Sequence, residues 1–565
     1  MATGSAVLRE SIITRRRDLT VATVLLMLHQ AGEAMVPVLV GVVIDQAIDP
    51  ATLGGGSVAD LVLWLAVLGL DFLLLSNCFR LGSRRTWLSE ARADQQLRLK
   101  IGERVLDPRG GAEAGRMPGA LVNVAVGDAK RVAELHLALP FGLAGMAAIV
   151  VAAIALLRIS VPLGLLILLG MPPLLWLLRQ LGKPMQRRSG PEQERAAQAA
   201  GVAADLVEGV RVLKGIGAER AAVRRYERTS RDALHATLRA ARAQGWNEGA
   251  TLAANGLFLA LIALVGGRLA AQGSISVGEL VSAVGLAQFL LGPLSVLGRM
   301  SGSYAQARPS ADRIAEILAA PPSVPRGTGE PADPVRGELR LRGVRHGPLR
   351  GLDLDVPAGQ LLGIAATDPG AVSALLACLN READPEDGSI KLDGRPLAEL
   401  DPARLRGAIL VAAHDAALFA GTLAENVAAS ATAGTDLAPV LGASRADEVA
   451  ETLADGLDTP VSEQGRSLSG GQRQRVALAR ALAAEAPVLV LHDPTTALDT
   501  VTEAHVAGAL RELRAGRTTL VATTSPALLA ACDRVVTLGE AGVVAAGSHA
   551  ELLRDRADYR ELVLA

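Results

Sequence analysis

Cysteine is almost missing from this sequence. Cys78, Cys378 and Cys532 stand far apart in a chain of 565 residues, which excludes a disulfide framework and a zinc site built on paired cysteines. Aromatic residues make up only 2 % and are not interleaved with a basic face, so a soluble nucleic-acid ATPase is a poor reading. The Ala/Gly/Arg bias carries no functional reading of its own. A short apolar segment with a cleavage site is also lacking. Arg15, Arg16 and Arg17 precede an apolar stretch that continues to Ile48, so the expectation is an anchor that starts inside the cell, not a cleaved signal. Net charge is only -1.

What the chain has is apolar length. Half of its residues are hydrophobic and mean hydropathy is positive, a composition that points to membrane spans. One core cannot serve so long a chain, so several domains are expected. Residues 1–18 read as a short helix on the cytoplasmic surface. Six segments then have the roughly 20 residues needed to cross hydrocarbon: Leu19–Ile44, Val58–Phe79, Leu135–Leu157, Ile159–Leu178, Asn247–Val265 and Leu280–Leu297. The third and fourth are joined by a tight hairpin at Arg158–Ile159 or by a break nearer Pro162.

The polar connections are unequal. Asp49–Ser57 and Arg268–Glu279 are short and nearly free of Lys and Arg, whereas Arg80–Glu134 and Arg179–Trp246 are long and basic. The positive-inside rule puts the long connections, both termini and the C-terminal region in the cytoplasm. Helix-forming runs in both long connections predict membrane helices that continue into the cytosol, reversing near Asp107–Gly119 and Gly209–Gly217. Glu33, Asp71, Asn77, Glu248 and Asn255 fall in or near the spans. They either line a polar route with a preference for cations, with Glu33 and Asp71 deepest, or are satisfied between helices.

Pro321–Pro334, "PPSVPRGTGEPADP", is a Pro/Gly-rich linker. Beyond it the pattern changes to short strands and 3.6-period helices, an α/β unit over Val335–Ala565. Its strongest feature is Leu468–Leu482, "LSGGQRQRVALARAL". Ser469, Gly470 and Gly471 open an amphipathic helix with a hydroxyl and unobstructed N–H groups, a seat for phosphate oxygens. A buried strand, Val488–Leu491, follows and ends in polar residues at its C-terminal edge, where α/β folds keep their chemistry.

These residues carry a resemblance. "LSGGQRQRVALARAL" and the "ALD" ending at Asp499 match the exporter-type half-transporters of the ATP-binding cassette (ABC) family. So do "PEDGSIKLDG" (Pro385–Gly394), "LFAGTLAENV" (Leu418–Val427), "VVAAGSHAELL" (Val543–Leu553) and "EGVRVLKGIGAE" (Glu208–Glu219). The likeness covers nearly the whole chain. It implies an all-α six-helix transmembrane domain over residues 1–320, a linker over 321–334, and an α/β P-loop-type cassette with a helical subdomain over 335–565.

The nucleotide site departs from that family. Its phosphate loop, G-x-x-x-x-G-K-[ST], needs glycine N–H groups and one lysine. The corresponding stretch here is "ATDPGAVSA", in which Ala366, Pro369 and Ala371 replace glycines and Val372 replaces the lysine. Pro369 removes a donor, Asp368 adds a negative charge, and only Ser373 survives as a Mg²⁺ ligand type. His492 stands for the family's Mg²⁺-organising Asp, and Asp493 for its catalytic Glu. His414 stands for the metal- and water-contacting Gln, and Thr524 for the switch His. Near His346 no aromatic residue offers itself to the adenine.

In this family two cassettes close head to tail, each ATP held between the Walker loop of one and the LSGGQ of the other. The resemblance therefore implies a heterodimer. A second half-transporter with intact Walker A, Walker B and switch His binds ATP and Mg²⁺, and this chain contributes Ser469, Gly470, Gly471, Gln472 and Asp499 in trans. Its own Walker side is expected to bind nucleotide weakly or not at all, with no resident metal. A small amphiphile, peptide, lipid or drug is the expected cargo, exported across a bacterial cytoplasmic membrane. Import of a chelated metal and a silent membrane scaffold are the competing readings.

Overall fold

The computed structural model describes residues 3–48, 58–414, 417–432, 434–539 and 542–564; the expected outer loop Asp49–Ser57 and residues Asp415 and Ala416 beside His414 lie outside them. Two compact units emerge, Met1–Ile101 with Val122–Glu316, and Gly102–Leu121 with Ile317–Ala565.

The first unit is helical. Helix α1 (Gly4–Thr14) is capped by Thr3 and stops at Arg15, where φ is -116° and ψ 19°. Then come α2 (Arg16–Val43), drawn out as a π-helical turn to Ile48, and α3 (Val58–Val105). Short helices Pro118–Asn123 and Ala129–Ala133 precede α4 (Leu135–Ile159) and α5 (Val161–Glu208). The one-and-a-half-turn helix Val210–Gly215 leads into α6 (Glu219–Ala271), followed by α7 (Val277–Leu318). Among the described residues six helical stretches are long and apolar enough to cross a membrane: Arg16–Gln46, Val58–Val105, Pro118–Ile159, Val161–Glu208, Glu219–Ala271 and Val277–Leu318. A helix is the form that satisfies its own backbone in hydrocarbon. The 48 residues of α5 rise about 72 Å, more than twice the ~30 Å of a bilayer core, so these helices run well past the lipid.

The break between the third and fourth spans falls on Ser160, which is extended (φ -159°, ψ 123°). Pro162 then sits in the first turn of α5, where a missing N–H breaks no bond. Small residues set how closely helices approach. A Cβ on Gly41 would lie 2.0 Å from Ser282 Oγ, and one on Gly278 would lie 2.1 Å from the Gly41 carbonyl oxygen, so α2 and α7 touch backbone to backbone. Asp45 completes this contact by accepting from Gly278 N–H at 2.8 Å and from the Ser276 hydroxyl. His136, fully buried, joins α4 to Ser89 of α3 (2.8 Å) and to Ser11 of α1 (2.9 Å).

A fully buried carboxylate, Asp128, anchors the segment before α4 to α7. Arg313 donates to both its oxygens (2.7 and 2.6 Å), and Ser310 (2.9 Å) and Arg131 (3.0 Å) add to it.

The second unit holds two main sheets and a two-stranded ladder of Gly421–Thr422 with Pro460–Val461. Strands β1 (Leu339–His346), β2 (Leu349–Val356), β4 (Asp387–Leu392) and β5 (Arg395–Pro396) form an antiparallel sheet in the order β2-β1-β4-β5. The larger sheet comprises β3 (Leu361–Ala366), β6 (Ile409–Ala412), β7 (Val488–His492), β8 (Thr518–Ala522), β9 (Arg534–Gly539) and β10 (Gly542–Gly547), in the order β10-β9-β3-β8-β7-β6. Its pairings are parallel except β9 with β10. Val488, Leu489, Val490 and Leu491 are all buried, as a strand covered on both faces requires. Register aligns Ala522 with both His492 and Ile364, so the ends of β3, β7 and β8 share one edge.

Part of the Pro-rich stretch is fixed to this unit. Buried Arg381 donates to the carbonyls of Leu400, Ala398 (2.7 Å) and Pro325 (3.0 Å), with Asp384 as its counter-ion at 3.1 Å. Ser323 and Val324 donate to the Arg109 carbonyl at 3.0 and 3.3 Å. Arg109's guanidinium bonds Asp107 in turn and holds that carboxyl down at about 2.

Removing one side of the Asp128 cluster should be costly in a directional way. Arg313→Met leaves a buried carboxylate short of its main partner and is expected to cost about 3 kcal/mol, whereas Arg313→Met with Asp128→Asn recovers at least half of that. Thermal unfolding of the full chain in detergent measures both.

Candidate functional site

The residues singled out in the sequence gather into two groups. The first surrounds helix α9, defined here as Gly470–Ala483 and preceded in the chain by α8 (Pro369–Leu379). Ser469 is the N-cap of α9, with extended backbone (φ -67°, ψ 164°). Its hydroxyl accepts from Gln472 N–H at 3.3 Å, and Gln472 Oε1 accepts from Ser469 N–H at 2.8 Å. That reciprocal capping box fixes the turn and leaves the first-turn N–H groups of Gly470 and Gly471 without intrahelical partners. Gly471 has a second reason to be glycine. A Cβ there would lie 2.7 Å from the Ala497 carbonyl oxygen, so the loop after β7 presses against the helix start.

That loop is held by a residue the sequence reading passed over. Gln474 Oε1 accepts from Ala497 N–H at 2.8 Å, and its amide nitrogen donates to Thr496 Oγ1 at 2.6 Å. Only the "Q-R-Q" spacing hinted at it, since a glutamine one turn into a helix is ordinarily a solvated residue. Asp499 closes the loop as N-cap of α10 (Thr500–Leu513). It accepts from Val501 and Thr502 N–H (3.1 and 3.0 Å) and from the Thr502 hydroxyl (2.7 Å). The Thr502 bonds hold its carboxyl below the usual carboxylate range.

The second group lies along the shared strand edge. β3 ends at Ala366, and Asp368 caps α8. Asp368 Oδ1 accepts from Gly370 N–H at 2.8 Å and its carbonyl from Ala371 N–H at 3.1 Å. Pro369 has no N–H to give. Ala371 and Val372 are buried in the core beneath the helix, and Ser373 donates its hydroxyl to the Pro369 carbonyl at 3.1 Å. The fit to a nucleotide phosphate is therefore poor: a carboxylate already takes the Gly370 donor, and Val372 is an apolar side chain buried in the core.

His414, His492 and Asp493 come together. The imidazole centroids are 5.7 Å apart, and His492 Nε2 is 3.7 Å from Asp493 Oδ2. Asp493 adopts φ 45°, left-handed backbone, with its N–H on the Ala522 carbonyl at 2.9 Å. Burial pushes the His492 imidazole below its usual value, against the opposing pull of Asp493. Together with Gln474, Arg480 and Ser430 they line a cavity of about 230 Å³. Among the described residues no cluster of three or more His, Cys, Asp or Glu has metal-holding geometry. Thr524 is exposed just beyond β8. His346 ends β1 and faces Glu386 at 3.7 Å.

The intramembrane groups divide as well. Glu33 accepts from Gln30 at 2.6 Å with His29 at 3.6 Å, Asn77 donates to the Leu73 carbonyl at 2.7 Å, and Glu248 accepts from Gln244 at 2.9 Å. These are satisfied within their own helices. Asp71 Oδ2 and Asn255 Oδ1, by contrast, are buried without a hydrogen-bond partner among the described residues. Asp71 and Glu33 sit on facing stretches of α3 and α2, since a Cβ on Gly32 would lie 3.0 Å from Asp71 Oδ1.

Loss of the capping box should register in stability. Ser469→Ala is expected to cost about 1 kcal/mol, and Ser469→Asp to recover most of it, because a carboxylate caps equally well. Chemical denaturation followed by circular dichroism reads this difference.

Comparison with known proteins agrees with this architecture. Residues 19–294 match the model of the ABC transporter transmembrane region, and residues 349–496 match that of the ABC transporter. A multidrug efflux ATP-binding/permease protein of Mycobacterium tuberculosis is 30 % identical over 98 % of this chain and 46 % of its own length. A protein of the same description from Mycobacterium bovis is 32 % identical over 72 % of this chain and 35 % of its own length, so the chain spans less than half of either. An ATP-dependent lipid A-core flippase of Ralstonia nicotianae is 31 % identical over 81 % of this chain and 79 % of its own. Among solved structures, a bacterial Atm1-family ABC exporter with ATP bound superposes with a TM-score of 0.70 at 26 % identity, covering 97 % of both chains. Six membrane-length helices, a cassette sheet with the LSGGQ turn at its helix start, and these matches together make the chain a member of the ABC transporter family, of the exporter type.

Proposed function

We propose that this chain is the non-hydrolysing half of an asymmetric, ATP-driven membrane transporter, and that it works by lending its LSGGQ turn to a different partner's nucleotide. One contrast carries the reading. At α9 the capping box holds Gly470 and Gly471 N–H groups ready for an outside anion, whereas at α8 the chain's own Asp368 takes the Gly370 donor and Val372 is buried. Two copies of this chain would give two pockets that both lack the lysine and the catalytic Glu. A partner with intact Walker A, Walker B and switch His supplies what is missing and binds ATP and Mg²⁺.

The bound nucleotide would supply the phosphoanhydride whose cleavage drives the cycle. In that composite pocket Ser469 Oγ and the N–H groups of Gly470 and Gly471 would steady the γ-phosphate, the stabilisation that pre-aimed donors provide. Gln472 keeps the turn in shape. Gln474 ties its helix to the loop after β7, and Asp499 caps α10 at the end of that loop, so that a movement of the turn would be felt at α10. In the membrane half, which we take as residues 1–320 with a linker over 321–334 and the cassette from 335, the short helix Val210–Gly215 leaves Val212 and Ile216 largely exposed. An apolar tip of this kind suits docking on a cassette.

The cargo we propose is a lipid-like, drug-like or peptide amphiphile moved outward across a bacterial cytoplasmic membrane, with the cassette in the cytoplasm. Support comes from the efflux and lipid-flippase names of its relatives. Glu33 and Asp71 would lie on its path, and Asp71's unpartnered oxygen is the better candidate for contact.

Co-purification with a candidate partner tests the division of labour. No ATPase activity is expected for this chain alone, and activity together with the partner. Ser469→Arg should abolish that activity while nucleotide binding to the partner persists, and Val372→Ala should leave it nearly unchanged. Normal turnover by the isolated chain, or loss on Val372→Ala but not on Ser469→Arg, would overturn the reading.

A further inference from the structure

A second cavity, within the first unit, takes no part in nucleotide chemistry. It measures about 540 Å³ and lies between α3, the segment leading into α4, and α7. That is the size of a small-ligand pocket. Its walls are of two kinds. Trp87, Phe141 and Met300 present apolar surface, and in a chain with only 2 % aromatic residues two of them share this one space. Glu90, Glu134, Lys130 and Arg299 present charge of both signs.

The charges do not satisfy one another. Lys130 and Glu134 are four residues apart in a helical stretch, a spacing at which such side chains ordinarily pair. Here no ion pair within 4.0 Å joins any of the four, and among the described residues Glu90, Glu134 and Lys130 make no side-chain hydrogen bond. Arg299 bonds only Ser295, at 3.2 Å. Glu90 and Glu134 are half-buried, so each gains from meeting a cation out of bulk water, while Lys130 and Arg299 reach toward solvent and remain open to an anion. By the span positions, the cavity sits where the second, third and sixth membrane helices leave the lipid, the level at which tryptophan is favoured.

We propose that this cavity is a substrate-binding site for a zwitterionic amphiphile, its amine received by Glu90 and Glu134, its acidic group by Lys130 and Arg299, and its chain laid against Trp87, Phe141 and Met300. The proposal deepens the transporter reading by naming the headgroup chemistry, and it rests on that reading only for calling the ligand a substrate. A purely cationic or purely anionic head would leave two of the four charges unanswered and would meet two of like sign.

Trp87 supplies its own reporter. In the full chain carrying Trp64→Phe, Trp176→Phe and Trp246→Phe, held in nanodiscs, fluorescence titration compares three probes with the same twelve-carbon tail: dodecylphosphocholine, dodecyltrimethylammonium and dodecyl phosphate. Dodecylphosphocholine is expected to bind about tenfold more tightly than either singly charged probe, the scale of one charge-assisted contact. Glu90→Gln with Glu134→Gln should erase its advantage over dodecyl phosphate, and Lys130→Gln with Arg299→Gln its advantage over dodecyltrimethylammonium. Equal affinity of all three probes would overturn the proposal, as would indifference to both double substitutions or a signal that survives Trp87→Phe. Neither partner nor nucleotide enters the measurement, so its failure and the failure of the asymmetric-transporter reading are separate results.

Discussion

Every helix begins with N–H groups that no residue of its own can satisfy, and in this cassette the answer to that requirement differs from helix to helix. Asp499 answers it for α10 with a carboxylate that takes two backbone donors. Asp368 answers it for α8 with a carboxylate that takes one backbone donor, the Gly370 N–H. Of these three, α9 has the neutral and partial answer: Ser469 and Gln472 satisfy each other across the turn and leave the glycine donors uncommitted. The electrostatic character of the cassette follows from these three choices. A helix start already holding a negative side chain has little attraction for a second anion, whereas one capped by neutral groups keeps its positive end available.

Around that turn the packing is tight. Gly471 admits the Ala497 carbonyl where any Cβ would collide, and Gln474 bonds the N–H of Ala497 and the hydroxyl of Thr496 before it. The turn, the loop after β7 and the start of α10 therefore act as one piece. The His414–His492 pair borders a cavity, and burial keeps His492 toward its neutral form.

The membrane half solves a different problem with the same economy. In lipid the helices satisfy their own backbones, so what remains to be arranged is side-chain contact. Glycine pairs such as Gly41 with Gly278 bring α2 and α7 together beside the polar tie of Asp45 to Ser276, and Asp128 to Arg313 fixes the segment before α4 to the far end of α7. Around one cavity the charges of Glu90, Glu134, Lys130 and Arg299 are left without ion pairs among the described residues.

The sequence by itself determined the span count, the α/β character of the cassette and the LSGGQ turn. Each of these is written in local composition or in a run of adjacent residues: apolar length, 3.6- and 2-residue periods, a Gly-rich cap. The tertiary structure alone decided which distant groups meet. It gave Gln474 its role, because the loop that needs it lies across a strand from the helix that carries it. It showed Asp368 turned onto Gly370 N–H, a matter of backbone geometry that composition leaves open. It grouped Gly102–Leu121 with the cassette and not with the neighbouring spans, through contacts such as Ser323 to Arg109. And it separated Glu33, satisfied within its own helix, from Asp71, whose buried oxygen has no partner among the described residues. Periodicity says that a side chain lies in a span; only the packing of a second helix says whether it is answered there.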